Sequence, residues 1–156
     1  MDVSQKWIRL IGRLALGAIF LLSVSGKLTN WSGTVAHAAA KGVPQVLLAG
    51  ATALELVGVI LLITGFKTRW GVAALVVFLI PVTLVFHDFW AVQGPQHQQQ
   101  LVEFLKNLAI AGGLLVEFVA GPGAFSLDAR ARTGPDALLA TEKLAAQHPL
   151  HSHDPS

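Results

Sequence analysis

The sequence predicts an all-α membrane protein, a bundle of four transmembrane helices with both termini in the cytoplasm. Hydrophobic residues make up 53% of the 156 residues, charged residues only 13%, and the mean hydropathy is +0.60. Soluble domains carry about 25% charged residues, so this composition is not typical of a water-soluble fold. The chain has no cysteine, which excludes disulfides and thiol or thiolate–metal chemistry on this polypeptide. Its net charge of +2 does not indicate a nucleic-acid partner.

The first predicted span covers residues 7–28 and is apolar between residues 14 and 26. A crossing takes about 20 residues, so this stretch is long enough to traverse a bilayer. Arg9 and Arg13 lie near its start, where we expect them to contact phospholipid headgroups and help set the orientation. A cleaved signal peptide is not expected, because the apolar core is long and no small-residue cleavage site with a soluble domain follows it.

The second and third predicted spans, residues 45–65 and 70–90, are the most apolar parts of the chain. Glu55 is the only charged residue within the second span, and the third carries no charge before His87 and Asp88. A helix of a soluble bundle needs a polar face, and the third span has none before its outer end. This pattern therefore predicts transmembrane helices and not the core helices of a soluble protein.

The fourth predicted span, residues 101–120, is the most polar of the four and ends at a Gly-Pro-Gly turn. It carries Glu103, Lys106 and Glu117. Glu117 lies near the inner end, where it can pair with one of the two arginines at the start of the first span. The Gln- and His-containing run before this span, residues 96–100, is expected to be a solvated loop.

The chain is predicted to divide into a membrane domain and a tail. The four-helix membrane domain is expected over residues 1–128, and the cytoplasmic tail over residues 129–156. Within the tail, the Ala- and Leu-rich stretch 136–147 can form one short helix. The His-containing end that follows is expected to be disordered, as chain termini often are.

The distribution of Lys and Arg predicts the orientation, because cytoplasmic loops are enriched in positive charge. Eight of these residues lie at the N-terminal end, between the second and third spans, or in the tail, whereas three lie on the other side. Both termini of this multi-pass protein are therefore expected in the cytoplasm. The loops after the first and third spans then face outward.

Polar residues from all four spans are expected to meet in the outer half of the bundle. A rise of about 1.5 Å per residue places Glu55 roughly 15 Å below the outer surface and Lys106 roughly 8 Å below it. Lys27 closes the first span on that side, His87 closes the third, and Asn107 follows Lys106. A carboxylate at the depth of Glu55 must be protonated, paired with a cation or placed in a wet cavity.

We assign the chemistry of this cluster to two groups of residues. Proton transfer is assigned to three catalytic candidates: Glu55, His87 and Asp88. Contact with a cofactor is assigned to four residues: Lys27, Lys106, Asn107 and Trp90. No metal site is predicted.

Several of these residues also have a purely structural interpretation. Lys27 can snorkel to the outer surface, and Glu55 can belong to a structural ion pair. His87 and Asp88 lie where an interfacial anchor would lie, beside aromatic residues. For these four residues, both interpretations stay open on the sequence alone.

The two polar residues of the fourth span differ in their structural alternatives. Lys106 can pair with Glu103, three residues earlier on the same helix, and that pair alone would explain it. Asn107 has no such neighbour and is expected to hydrogen-bond to another helix.

Motifs along the chain resemble those of the DoxX family of membrane proteins. They are Ser25-Gly26-Lys27-Leu28, Ala53-Leu54-Glu55-Leu56-Val57-Gly58, His87-Asp88-Phe89-Trp90, the run from Phe104 to Leu115, and Gly121-Pro122-Gly123. The resemblance extends over residues 10–130 and implies a four-helix bacterial inner-membrane protein. It also implies redox settings, since the family includes a quinone-linked subunit of an archaeal thiosulfate-oxidising enzyme and a membrane partner of a mycobacterial redox-defence assembly.

Three functions of different classes are consistent with these features. The first is a redox-linked subunit, an oxidoreductase component that binds a quinone or a similar small molecule in the outer polar cluster. The second is a non-enzymatic anchor or assembly subunit for other redox proteins, in which the polar residues specify helix pairing. The third is a small-solute carrier. The expected partners are membrane lipids and either a second copy of the chain or a partner redox protein.

Overall fold

The computed structural model describes residues 2–133, and every regular element within them is helical. The helices are α1 (Val3–Thr29), α2 (Trp31–Ala40), α3 (Gln45–Thr64), α4 (Thr68–Phe86), α5 (Pro95–Ala120) and α6 (Leu127–Thr133), with a single 3-10 turn (Phe89–Ala91) between α4 and α5. The predicted all-α class is confirmed. The four predicted spans correspond to α1, α3, α4 and α5.

α3 and α4 form the centre of the bundle, with α1 packed against α3 and α5 packed against α4. The two central helices approach most closely at a pair of glycines, where a Cβ on Gly71 would lie 2.9 Å from the carbonyl oxygen of Gly58. Small residues at such a crossing let the helix backbones pack tightly, as in membrane bundles. The core around this crossing consists of Phe20, Val59, Leu62, Val72, Leu75, Phe78, Leu79 and Leu114.

Within residues 2–133, three helical segments are long and apolar enough to cross a membrane: Val3–Thr29, Gln45–Thr64 and Thr68–Ala91. α5 has sufficient length, with 26 residues, but carries three charged side chains. Large apolar side chains such as Leu22 and Val46 are exposed on the outside of the bundle, at 73% and 81%. Such a surface is suited to contact with lipid tails.

α2 is a helix that the sequence analysis did not predict. Asn30 separates it from α1, and the Asn30 side chain accepts a hydrogen bond from the backbone N–H of Gly33 (3.3 Å), which caps the new helix. α2 then packs against α3, and Ala38 becomes almost fully buried. A ten-residue Ala-rich segment has little periodic signal of its own, so this tertiary contact defines the helix.

α5 begins at Pro95, earlier than the predicted start at residue 101, so the expected solvated loop over 96–100 is wrong. Proline suits the first position of a helix, because its missing N–H would have no partner there and its φ is already helical. Gly94, immediately before it, has a φ of +64° and turns the chain into the helix. The extension places His97 and Gln100 on the helix, where both contact the preceding loop.

The bundle has two chemically different ends. The end that carries α2 and the α4–α5 loop is the one that the sequence predicts to face outward, and we call it the α2 end. The opposite end carries Arg9, Arg13 and the segment 121–128, and we call it the arginine end. α6 extends across the predicted boundary between domain and tail at residue 128, whereas the helix predicted over 136–147 lies outside the described residues.

Candidate functional site

A buried ion pair joins α1 and α3 near the α2 end. Glu55 is completely buried, and its Oε2 lies 2.6 Å from the Nζ of Lys27, whose side chain is 19% exposed. The same ammonium group donates to the Ser23 hydroxyl (2.7 Å) and lies 4.9 Å from the centre of the Phe78 ring. Glu55 was expected to be protonated, paired with a cation or placed in a wet cavity, and the structure pairs it with Lys27. Lys27 therefore does not simply snorkel to the outer surface.

The second carboxylate oxygen of Glu55 has a different environment. Within the part of the chain that the structure describes, Oε1 is buried and has no hydrogen-bond partner. Most buried polar atoms in proteins are hydrogen-bonded, and an unsatisfied buried acceptor costs about 1–3 kcal/mol. Such an atom can accept a hydrogen bond from a ligand or from a water molecule.

α5 contributes two neighbouring polar residues to the same region. Asn107 is buried and donates from Nδ2 to the Thr83 hydroxyl on α4 (3.0 Å), which confirms the predicted hydrogen bond to another helix. Lys106 forms an ion pair with Glu103 three residues earlier, as its structural interpretation predicts. The Lys106 side chain remains 45% exposed, so this local pair does not remove it from the site.

His87 lies at the C-terminal end of α4 and faces the first turns of α5. Its Nδ1 lies 3.0 Å from the side-chain oxygen of Gln100, which leaves Nε2 to face elsewhere. Because an amide oxygen can only accept, this contact is a hydrogen bond in the tautomer that carries its proton on Nδ1.

These side chains line one polar pocket of about 230 Å³ between α1, α3, α4 and α5. Its polar lining residues are Ser23, Lys27, Glu55, His87, Glu103, Lys106 and Asn107. Five of the seven predicted site residues are therefore among its lining residues. The structure brings together in one cavity polar groups from four helices that the sequence analysis grouped by depth alone.

The other two predicted site residues lie outside the lining of the polar pocket. Asp88 accepts from Lys41 (2.7 Å), an ion pair that ties the end of α2 to the loop after α4. Trp90 packs its ring edge-on against Phe89 and Phe104, at centroid distances of 5.0 and 6.0 Å. Both residues therefore make contacts at the α2 end, outside the pocket lining.

A larger apolar cavity of about 550 Å³ adjoins the polar pocket, and the sequence analysis did not predict it. Its walls are α2, residues 46–54 of α3 and residues 77–86 of α4. Lys27, Phe78 and Val82 line both spaces, so the two are neighbours across these side chains. No periodicity in the sequence marks a cavity, because it depends on how far apart the packed helices lie.

At the arginine end, Arg9 and Arg13 bind the chain itself. Arg13 is only 2% exposed and donates to the carbonyl oxygens of Phe125 (2.5 Å) and Pro122. Arg9 donates to the carbonyl oxygens of Ala120 and Gly121. The expected headgroup contact is therefore wrong for Arg13, whose guanidinium is buried beneath the segment 121–128.

The segment 121–128 also holds the turn between α3 and α4. The Asp128 carboxylate accepts from the backbone N–H groups of Lys67 (2.9 Å) and Thr68 (3.3 Å), and the Asp128 N–H donates to the carbonyl of Gly65 (3.0 Å). Asp128 thereby caps the N-terminus of α4 from a distant part of the chain. Lys67 adopts a φ of +45°, a backbone conformation that the surrounding contacts must maintain.

Fold and pocket together define the class of this protein: a helical membrane protein whose bundle contains buried, paired charges around a small pocket. Comparison with known proteins identifies the family. The DoxX family model matches residues 8–88, and the chain belongs to this family. That match ends at Asp88, so it includes α1 to α4 but not the residues that α5 contributes to the pocket.

Two of the similar proteins are inner membrane proteins by name. The chain is 33% identical to the inner membrane protein YphA of Escherichia coli over 129 residues, which cover 81% of this chain and 92% of that protein. It is also 33% identical to the E. coli inner membrane protein YqjF, over 76% of this chain and 88% of that protein. A Surfeit locus protein 4 homolog of Schizosaccharomyces pombe is 29% identical over 80% of this chain, but only 38% of that longer protein is matched. No solved structure matches the chain.

Proposed function

We propose that this DoxX-family protein crosses the bacterial inner membrane four times, with both termini in the cytoplasm. In this proposal it is a redox-linked subunit whose polar pocket binds the head of a quinone or a similar small carbonyl compound. The single observation that carries the proposal is the buried Glu55 carboxylate. One of its oxygens is paired with Lys27, the other is buried without a partner among the described residues, and Glu55 lines a pocket with several donors.

The pocket offers hydrogen-bond donors of the type that a quinone carbonyl accepts. Lys106 has an ammonium group that is partly exposed at the pocket, and Asn107 has a second N–H beside the one donated to Thr83. Reduction of a quinone to a quinol takes two electrons and two protons. Glu55 and His87 are the pocket groups that can take protons from water and pass them to the two carbonyl oxygens. The electrons come from a partner redox protein or a small reductant, with the quinone as acceptor.

The experiment is mass spectrometry of the organic extract from mildly purified protein. We expect a quinone at near-stoichiometric amount in the wild type and about tenfold less in Lys106→Ala, because a hydrogen bond to a charged group contributes about 1.5–3 kcal/mol. Lys106 is a suitable target, because its side chain is 45% exposed and its loss leaves no buried charge.

Lys41→Ala is the matched control, because Lys41 is also paired with a carboxylate but does not line the pocket. Equal quinone content in the wild type and both variants would place the quinone elsewhere. No quinone in any of them would refute the proposal.

The assembly role is the second candidate, and a specific observation favours it. The same polar contacts join helices in pairs: Lys27–Glu55 connects α1 with α3, and Asn107–Thr83 connects α5 with α4. Polar groups in a membrane bundle often specify which helices pair. Co-purification of partner redox proteins, without any quinone in the extract, is the result that this role predicts.

A further inference from the structure

The proposed function uses the polar pocket and assigns no role to the apolar cavity at the α2 end. This cavity is lined almost entirely by apolar atoms of α2, α3 and α4, and Lys27 is the one ammonium group among its lining residues. Its volume of about 550 Å³ falls within the range of about 300–1,000 Å³ that small-molecule sites occupy. It has few polar groups, however, with which to orient a ligand that is polar throughout.

The polar pocket has more polar side chains among its lining residues. At about 230 Å³ it is smaller than most ligand sites, yet it holds two ion pairs and a buried amide. A small polar head fits such a pocket, but a larger molecule needs further space. The apolar cavity supplies that space directly next to it, because Lys27, Phe78 and Val82 line both.

We propose that the two spaces hold the two parts of one amphiphile, with the polar head in the polar pocket and the hydrocarbon tail in the apolar cavity. This inference rests on the proposed function and narrows its ligand to a tailed molecule, such as a quinone with a prenyl or alkyl chain. Lys27 and Phe78 form the boundary between the two spaces, with the ammonium 4.9 Å from the ring centre. The tail passes from one space to the other beside these two side chains.

A pair of glycines allows a matched test. Gly50 lines the apolar cavity, and a Cβ added there meets no atom within 4 Å, so Gly50→Phe fills the cavity without a backbone clash. Gly112 on α5 is equally open to a Cβ but does not line the cavity. Gly112→Phe therefore adds the same side chain to another helix and serves as the control. Val46→Trp, at the exposed rim of the cavity, is a second blocking variant should Gly50→Phe not fold.

The probe is a benzoquinone that carries a decyl chain with a photoreactive diazirine at its far end, added to the full-length protein in lipid nanodiscs. Mass spectrometry then maps the labelled peptides. We expect labelling of the cavity walls on α3 and α4, and a loss of about tenfold in Gly50→Phe but not in Gly112→Phe, because a filled cavity cannot hold the chain. The same benzoquinone without its chain, added in excess as a competitor, should also lower the labelling. The Lys106→Ala variant should be labelled less than the wild type.

The outcomes separate the tail inference from the proposed function. Labelling that is unchanged in the blocking variants overturns the tail inference, whereas the proposed function stands if the tailless quinone still competes. A third outcome is labelling that is lost in the blocking variants but changes neither with the tailless quinone nor in Lys106→Ala. In that case the cavity holds a hydrocarbon chain independently of the pocket. That result overturns this inference and counts against quinone binding in the polar pocket. No labelling above that of empty nanodiscs overturns it outright.

Discussion

The two ends of the bundle both bury charged side chains, but they satisfy them in different ways. At the arginine end, Arg13 is surrounded by carbonyl oxygens of the segment 121–128 and is bound by the fold itself. At the α2 end, the buried Glu55 has one cationic partner and one oxygen without a partner among the described residues, beside a cavity. One end uses its charges to close the chain, whereas the charges of the other end line a pocket.

This difference indicates where to look for function in a membrane bundle. Burial of a charge alone does not identify a site, because Arg13 and Glu55 are about equally hidden from solvent. Each of them also has one buried atom without a hydrogen-bond partner among the described residues, Nε of Arg13 and Oε1 of Glu55. What distinguishes Glu55 is that it lines a pocket together with polar side chains from other helices. A charge whose partners are backbone carbonyls has a structural role, whereas a charge with an unused lone pair at a pocket is a candidate for chemistry.

Arg13→Ala should give the largest effect, and it should be an effect on stability alone. The substitution leaves the carbonyl oxygens of Pro122 and Phe125 without the guanidinium that donates to them. It also removes the positive charge that interacts with the buried Glu117. Breaking such a buried interaction costs about 3–5 kcal/mol. We expect a strongly lowered midpoint of thermal unfolding in detergent, with unchanged quinone content per folded molecule.

Arg69→Ala is the control for this prediction. Arg69 is exposed and lies 5.9 Å from the centre of the Phe118 ring, an interaction of about 0.5–1 kcal/mol at a surface. A loss of stability in Arg13→Ala no larger than that in Arg69→Ala would show that the arginine end does not depend on its buried guanidinium. A loss of quinone from folded Arg13→Ala would remove the contrast between the two ends.

The second prediction tests whether the Lys27–Glu55 pair is more than structural. Lys27→Met and Glu55→Leu should each destabilise the protein by about 3 kcal/mol, because each leaves the other charge without its partner. The double variant should recover most of that loss, since a well-packed apolar pair often replaces a buried ion pair without cost. Its quinone content should nevertheless stay low, since both charges line the pocket.

The double variant gives a result that the single variants cannot. If it regains stability and also keeps its quinone, the pair only holds α1 against α3, and the two ends of the bundle are alike. If it stays as unstable as the single variants, the two side chains act through other neighbours, such as Ser23 or Phe78. Thermal unfolding and extraction on the same preparations distinguish these results.

The sequence was sufficient to predict the parts of this structure that depend on depth and local spacing. Glu55 was expected, from its depth, to be protonated, paired with a cation or placed in a wet cavity, and the structure pairs it with Lys27. The Glu103–Lys106 pair was predicted from the spacing of three residues on one helix, and the bond of Asn107 to another helix from its lack of such a neighbour. These features are determined by the distance along a helix, which the sequence contains.

The features that were missed depend on contacts between distant parts of the chain. The partners of Arg13 are backbone carbonyls more than a hundred residues away, and a carbonyl has no signature in the sequence. α2 packs against α3 and buries Ala38, and a helix of ten residues is too short to be stable without such a contact. The apolar cavity depends on helix separation and on the absence of a side chain at Gly50, neither of which periodicity can show.

The smallest predicted effect concerns Asp88, which lies at the α2 end but outside the polar pocket. Its ion pair with Lys41 is partly exposed, at 21% and 31% of the two side chains, and pairs of this kind contribute about 0–1 kcal/mol. We expect Asp88→Asn to lower the free energy of unfolding by less than about 1 kcal/mol, Lys41→Met to do the same, and the double variant to add nothing further. Quinone content should stay at the wild-type level in all three, as determined on the same extracts. A clear loss of quinone in Asp88→Asn alone would mean that the loop after α4 participates in binding, and that the functional part of the α2 end extends beyond the residues that line the pocket.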